Sequence, residues 1–339
     1  MSGAAPAIGL AGFGRLARDY YLPALRALGA VDRLAVADPA PAARAEARAR
    51  VPSAALYEDP REMLEAHRPD GLLVASPPST HLALWRAAAA RGIPVFMEKP
   101  FLLPHELDAI DPHDPAWARL MLDFNRRFWP PYRWLRDAVL SGRVGRVLRA
   151  RLTLCVDVRP WSRASDHRSL PAEGGALHDL GSQLLDLAAT LLGAAPTRLR
   201  AAHADPAEAR GRARIDLVFP SGASAALELG YTERTQECVW IEGERGRLYL
   251  DDPNYLPHRE RRGARAVQRP LDWAALGWRG AFRSRSMLRY TVRAALAAFL
   301  SALRDGRGFE PGFDDALRVA RWLAAAERSL ASGAEQVLA

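Results

Sequence analysis

The sequence predicts an α/β chain of two domains: a doubly wound parallel sheet, then an α+β domain with an open, mostly antiparallel sheet. Three observations carry this. Strand-like and helix-like segments alternate over the first 125 residues, the alternation stops near residue 128, and a run of strands with no helices between them follows. At 339 residues the chain is also long enough for two hydrophobic cores. The expected division is 1–125 and 126–339, with the last helices able to pack back on the first domain.

In the first part, "AIGLAG" (7–12), "LAVAD" (34–38), "GLLVAS" (71–76), "PVFMEK" (94–99) and "ARLMLDF" (118–124) are short apolar runs of strand type. Between them "RLARDYYLPALRALG", "PAARAEARARV", "PREMLEAH" and "THLALWRAAAARG" have helical spacing, and two of them end at glycine. Strict alternation implies right-handed crossovers between parallel strands. After a helix in "PPYRWLRDAVLSG" and a strand in "RVLRARLTLCVDV", a long helix is expected from about Glu173 to Leu192. Then "TRLRAAHA", "RARIDLVF", "ASAALELGY", "ECVWIEG" and "GRLYLDD" read as strands separated by turn signals such as "PSGA" and "GERG", which argues an antiparallel sheet. Two helices, about 282–304 and 313–332, close the chain.

No stretch of about 18 uninterrupted apolar residues exists to span a bilayer. The N-terminal apolar run lacks a basic flank and ends in a glycine turn, so it reads as the first strand and not as a signal peptide. Cys155 and Cys238, in strand-like segments, suit buried thiols of a reducing cytoplasm better than a disulfide or a metal site, and no metal is implied. The net charge of +8 is concentrated: ten arginines against Glu260 and Asp272 lie between Arg259 and Arg293. Such a segment can attract phosphate, but it carries no nucleic-acid motif, so no nucleic-acid partner is expected.

The first strand ends in "GFGRLA", where Gly12, Gly14 and Ala17 form a G-x-G-x-x-A turn into a helix. Glycines there permit a tight turn and close approach of a pyrophosphate, and the helix start points N–H groups at it. Backbone and side chains of Phe13, Arg15 and Leu16 complete that turn. The next strand ends in Asp38, placed to bond ribose hydroxyls and to disfavour a 2′-phosphate, so NAD is expected; Arg44 leaves NADP open. Ser76, Pro77 and His81 of "SPPSTH" follow another strand end and are expected to line the same crevice.

Taken together, "GFGRLA", "SPPSTH", "EKP" (98–100), "FNRRF" (124–128) and "GGALHDLGSQLLD" (174–186) resemble, in order and spacing, the Gfo/Idh/MocA oxidoreductases. The resemblance covers nearly the whole chain. It implies an N-terminal Rossmann domain, a nicotinamide cofactor, a sugar, cyclitol or nucleotide-sugar substrate, and a C-terminal sheet that often forms a homo-oligomer interface. It also implies that the lysine of E-K-P, here Lys99, contacts both cofactor and reacting oxygen.

Lys99 is the only lysine in a chain with 47 basic residues of the Lys/Arg type. Hydride transfer at a carbon bearing oxygen leaves a proton to be moved. A compact ammonium can exchange a proton, whereas a guanidinium does not. Glu98 is a candidate to hold this lysine, although adjacent strand residues point to opposite faces. The X–Pro bond at Pro100 is compatible with a cis peptide. By the resemblance, the second catalytic element is an Asp-x-x-x-His pair on the long helix. Here it reads Asp179 and Gln183, and glutamine cannot shuttle a proton. Three readings stay open: Lys99 works unaided, His167 or His178 substitutes, or the chain binds cofactor as a regulator or scaffold without turnover. Arg126 is either a substrate contact or part of a structural salt bridge.

Overall fold

The computed structural model describes residues 5–159, 175–203, 212–250, 258–261 and 287–338. The chain divides into two compact units, Met1–Asn125 with Leu288–Arg318, and Arg126–Met287 with Val319–Ala339.

In the first unit the strands are β1 (Ile8–Ala11), β2 (Leu34–Ala37), β3 (Ala55–Tyr57), β4 (Gly71–Val74), β5 (Val95–Met97) and β6 (Leu120–Leu122), in the order β3-β2-β1-β4-β5-β6. All five pairings are parallel. β1 lies between β2 and β4, so the chain order reverses there, the switch point beside which open parallel sheets bind ligands. The strands are apolar on both faces, as a sheet covered on both sides requires: Ile8, Leu10, Val36, Leu72, Leu73 and Phe96 are fully buried. Helices α1 (Leu22–Ala27), α2 (Pro41–Arg50), α3 (Pro60–Ala66) and α4 (His81–Ala89) connect them. β3 was not expected; it is three half-buried residues long, too short for a periodic signal. A π-helical turn, Ala17–Tyr21, precedes α1. The proline-broken segment 109–117 forms short 3₁₀ turns and delivers Trp117, which stacks between Trp85 and Phe313 at centroid distances of 3.5 and 3.9 Å.

The second unit opens with α5 (Pro130–Leu140), β7 (Val147–Val156), a π-helical turn at Leu177–Gly181 and α6 (Ser182–Leu192). Strands β8 (Arg198–His203), β9 (Arg212–Val218), β10 (Ser224–Tyr231), β11 (Gln236–Gly243), β12 (Gly246–Leu250) and β13 (His258–Arg261) follow. Helices α7 (Met287–Asp305) and α8 (Phe313–Ser332) and strand β14 (Gln336–Val337) end the described chain. The eight-stranded sheet runs β13-β12-β11-β7-β10-β9-β8-β14. The sheet is mostly antiparallel, as expected, with one parallel pairing: β10 lies beside β7, with Leu227 opposite Leu152. The long connection from β7 through α6 to β10 is of the kind a parallel pair needs. α6 covers the sheet with Leu184, Leu185, Leu187 and Leu191, all almost fully buried, and stops at Gly193 with φ +67°. α7 belongs mainly to the first unit, where Leu303 and Phe299 approach so closely that a Cβ on Gly71 would meet them at 2.8 and 3.0 Å. Among the described residues no helix is long and apolar enough to cross a membrane.

Candidate functional site

The glycine turn after β1 is built by two different constraints. Gly12 has φ +88°, and a Cβ there would stand 2.9 Å from the backbone of Ala75 and Ser76, so the approach of the β4 loop demands glycine. At Gly14 a Cβ would meet nothing within 4 Å among the described residues. The described residues do not require that second glycine; the space before a helix start fits a bound pyrophosphate. Phe13 is buried and its N–H donates to Asp38 Oδ2 at 2.7 Å, while Ala40 N–H donates to Asp38 Oδ1 at 2.8 Å. Asp38 thereby ties the end of β2 to the turn. Arg44, weighed as a 2′-phosphate contact, donates to the carbonyls of Asp38 and Pro39 and pairs with Glu58 at 3.2 Å. Arg15 forms an i,i+4 pair with Asp19 at 3.4 Å, and Leu16 stands half-buried at the helix start with no side-chain cap.

After β4, Ser76 Oγ lies 2.6 Å from Thr80 Oγ1, which donates to Pro77 O at 2.7 Å, closing the "SPPST" turn. His81 is fully buried. Its Nδ1 lies 2.8 Å from Pro100 O and its Nε2 2.9 Å from Ser76 O, so the ring bridges the loops that follow β4 and β5. It is a clamp between the two loops of the crevice wall.

Lys99 is half-buried just past β5, and the Lys99–Pro100 peptide is cis. Its backbone N–H donates to Glu98 Oε2 at 2.9 Å. Glu98 itself turns inward: it is 8% exposed, with Oε1 3.3 Å from the Tyr21 hydroxyl, which also lies 2.9 Å from Asp123 Oδ2. Neither Tyr21 nor Asp123 was expected at the site.

In the second unit the π-helical turn carries Asp179, whose carboxylate accepts from the Tyr231 hydroxyl at 3.0 Å. Gln183 Nε2 donates to the backbone O of Asp179 at 3.4 Å, not to its carboxylate. The π turn interrupts the α-helical i, i+4 register on which the shared face of these two residues was expected, and such turns recur at functional sites. His178 points elsewhere: it is 1% exposed and its Nε2 meets Glu327 Oε1 at 2.8 Å, so it does not stand in beside Asp179. His167 lies outside the described residues, as does most of the arginine-rich segment 259–293.

Arg126 adopts the salt-bridge form. Its Nε and Nη2 donate to the two oxygens of Glu237 at 2.8 and 3.0 Å, and Tyr132 donates to Glu237 Oε1 at 2.6 Å. Burial alone would lower the Arg126 pKa, but the charge and hydrogen bonds of Glu237, helped by Tyr132 and Asp179, hold it above the ordinary value. Burial and then Glu237 push the Tyr132 hydroxyl well above the usual phenol range. Arg127 holds Asp186 through Nε at 3.1 and 2.9 Å; Asp186 is 3% exposed, not a helix-surface group.

Residues 7–111 match the model of the oxidoreductase family, NAD-binding Rossmann fold, and residues 132–249 match the GFO/IDH/MocA C-terminal domain. The chain is 33% identical over 177 residues to the rhizopine catabolism protein MocA of Rhizobium meliloti, covering 51% of this chain and 53% of that protein. It is 29% identical over 315 residues to inositol 2-dehydrogenase 2 of Paenarthrobacter aurescens, covering 88% of each. Several of these matches, MocA among them, span about half the relative's length or less. Among solved structures, an oxidoreductase domain protein from Kribbella flavida superposes with TM-score 0.86 at 22% identity over 99% of this chain and 100% of that one. A levoglucosan dehydrogenase in complex with NADH and levoglucosan gives 0.82 at 20% identity over 98% of both. With both of its domains matched in sequence order, the chain belongs to the Gfo/Idh/MocA oxidoreductase family.

Proposed function

We propose that the protein is an NAD-dependent oxidoreductase acting on a carbinol or ketone carbon of a sugar or cyclitol. The observation that carries this reading is the placement of the sole lysine at the end of β5, on the same sheet edge as a glycine turn with open space for a pyrophosphate. Relatives named for inositol and levoglucosan set the substrate class, a polyhydroxylated ring. Nucleotide sugars and phosphorylated sugars are the wider members of that class.

When bound, the nicotinamide supplies the hydride acceptor or donor. The chain's own residues do the rest. Gly12, Phe13, Gly14, Arg15 and Leu16 form the pyrophosphate turn, and Asp38 meets the ribose, favouring NAD over NADP. Ser76, Pro77, His81 and Glu98 shape the crevice wall. Lys99 donates to the reacting oxygen and takes or returns its proton. In the second unit, Asp179, supported by Tyr231, and Gln183 hydrogen-bond substrate hydroxyls, and Arg126 keeps positive charge beside Asp179 through its pair with Glu237. The division 1–125 and 126–339, with the closing helices returning to the first domain, is the functional partition we adopt. The protein works in the cytoplasm as a homo-oligomer through its C-terminal sheet.

The Gln183 amide turned to its own helix backbone favours a second reading, a cofactor-binding regulator without turnover. A panel of inositols and sugars with NAD and NADP, followed by absorbance of the reduced cofactor, separates the two. Turnover with NAD is expected for the oxidoreductase. Tight NAD binding with no turnover on any polyol decides for the regulator.

A further inference from the structure

Beneath the strand end that carries Lys99, three ionisable groups pack where water is excluded. Tyr21 is fully buried, Asp123 is 1% exposed and Glu98 8%. They come from three places in the chain: the π turn after β1, the end of β5 and the end of β6. The Tyr21 hydroxyl lies 2.9 Å from Asp123 Oδ2 and 3.3 Å from Glu98 Oε1. A phenol has one hydrogen to give, so it cannot satisfy two ionised carboxylates at once. Asp123 and Glu98 thus converge on one hydroxyl, and with a single hydrogen to share, a second hydrogen on one of the carboxyl groups relieves the conflict. Two adjacent carboxylates in such a site cannot both ionise at ordinary cost. Among the described residues Asp123 Oδ1 is buried without a donor, which would leave a full charge there poorly compensated.

We propose that Glu98 and Asp123 hold one proton between them, and that this shared proton positions Lys99 through the Glu98 carboxyl that accepts its backbone N–H. Asp123 and Tyr21 are then positioning residues for the lysine. The proposal rests on the reading of Lys99 as the group that meets the substrate oxygen. Burial first, and then the Glu98 charge, raise the Asp123 pKa well above the usual carboxylate value; burial, Asp123 and Glu98 likewise raise Tyr21. Among the described residues, the groups facing the pair include Tyr21 from the π turn, the neutral Asn125 past β6, and the backbone N–H of Lys99, the residue after Glu98. Loss of the proton would set two like charges together, drive Glu98 off the Lys99 N–H and release the backbone at the lysine.

A carboxyl whose native pKa is raised stabilises the fold fully below its unfolded value, and that stabilisation is lost as pH rises through the native value. Asp123→Asn mimics the protonated form in shape and cannot ionise. Urea unfolding of the full chain and of this variant, from pH 4 to pH 9, should show the folded-to-unfolded ratio of the wild type falling relative to the variant. The fall is up to about tenfold per pH unit between about pH 4 and the native pKa of the pair. A gap that is constant across this range overturns the shared proton. Should the variant fail to fold, infrared spectra of the wild type at neutral pH still decide, because a protonated carboxyl absorbs at higher frequency than a carboxylate. Absence of that band overturns the proposal.

Positioning is read through the lysine itself. Since Lys99 is the only lysine, an amine-acetylating reagent followed by peptide mass spectrometry reports its reactivity alone, with the N-terminal amine as internal reference. The wild-type rate against pH should carry an inflection that Asp123→Asn lacks. Identical profiles in the two proteins overturn the positioning role. None of these readouts needs turnover, so failure of the dehydrogenase reading in the polyol panel remains a separate result.

Discussion

The two units place their functional residues by different means. In the first, the proposed site is made of loops that follow successive parallel strands, each a short contiguous motif, and the carboxyl groups beneath it converge on one tyrosine hydroxyl. In the second, charged side chains from distant segments pair across the unit: Arg126 with Glu237, 111 residues apart, and Arg127 with Asp186, 59 apart. A parallel sheet edge gathers residues by topology alone. A mixed sheet offers no such common edge, and the residues proposed to meet substrate there stand beside explicit ion pairs, with a larger penalty when one partner is lost.

That contrast can be broken at the pair. Glu237→Leu leaves the Arg126 guanidinium, 12% exposed, without its carboxylate and removes the acceptor of Tyr132. A loss of about 3–5 kcal/mol is expected in urea unfolding. A loss under about 1 kcal/mol would mean that the pair is not what holds this part of the second unit. In the first unit the largest backbone constraint is Gly12. Gly12→Ala forces an alanine to φ +88° against the Ala75 backbone, and a cost of about 1–3 kcal/mol is expected together with weakened NAD binding in calorimetry. Unchanged affinity would separate the turn from the cofactor. Smallest is Tyr231→Phe, which deletes one hydrogen bond to Asp179; about 1 kcal/mol of stability is at stake. Should Asp179 orient substrate, KM for the polyol rises more than stability falls; an unchanged KM would leave Tyr231 a structural partner only.

The same contrast explains what could be read from the sequence. "GFGRLA", "SPPSTH" and "EKP" are each contiguous, and strict alternation of strand and helix fixes which loops share an edge, so the sheet edge that carries them was legible in the sequence. Strands of the second unit were legible too, through two-residue alternation such as that of "RARIDLV". The parallel pairing of β7 with β10 was not, because nothing local distinguishes a strand that returns beside an earlier one from its antiparallel neighbours. Asp123 and Tyr21 escaped for a related reason: Tyr21 lies 77 residues from Glu98 and 102 from Asp123, and no local pattern marks it as their partner. The π turns before α1 and α6 carry no periodicity that distinguishes them from α-helix over five residues.

The central claim is that Lys99 is kept as lysine for proton exchange and not for charge. Lys99→Arg preserves the charge and removes the exchange. Steady-state turnover of the polyol found in the panel should fall by at least about 100-fold in this variant, while NAD affinity by calorimetry stays close to that of the wild type. Wild-type turnover in Lys99→Arg would contradict the account directly.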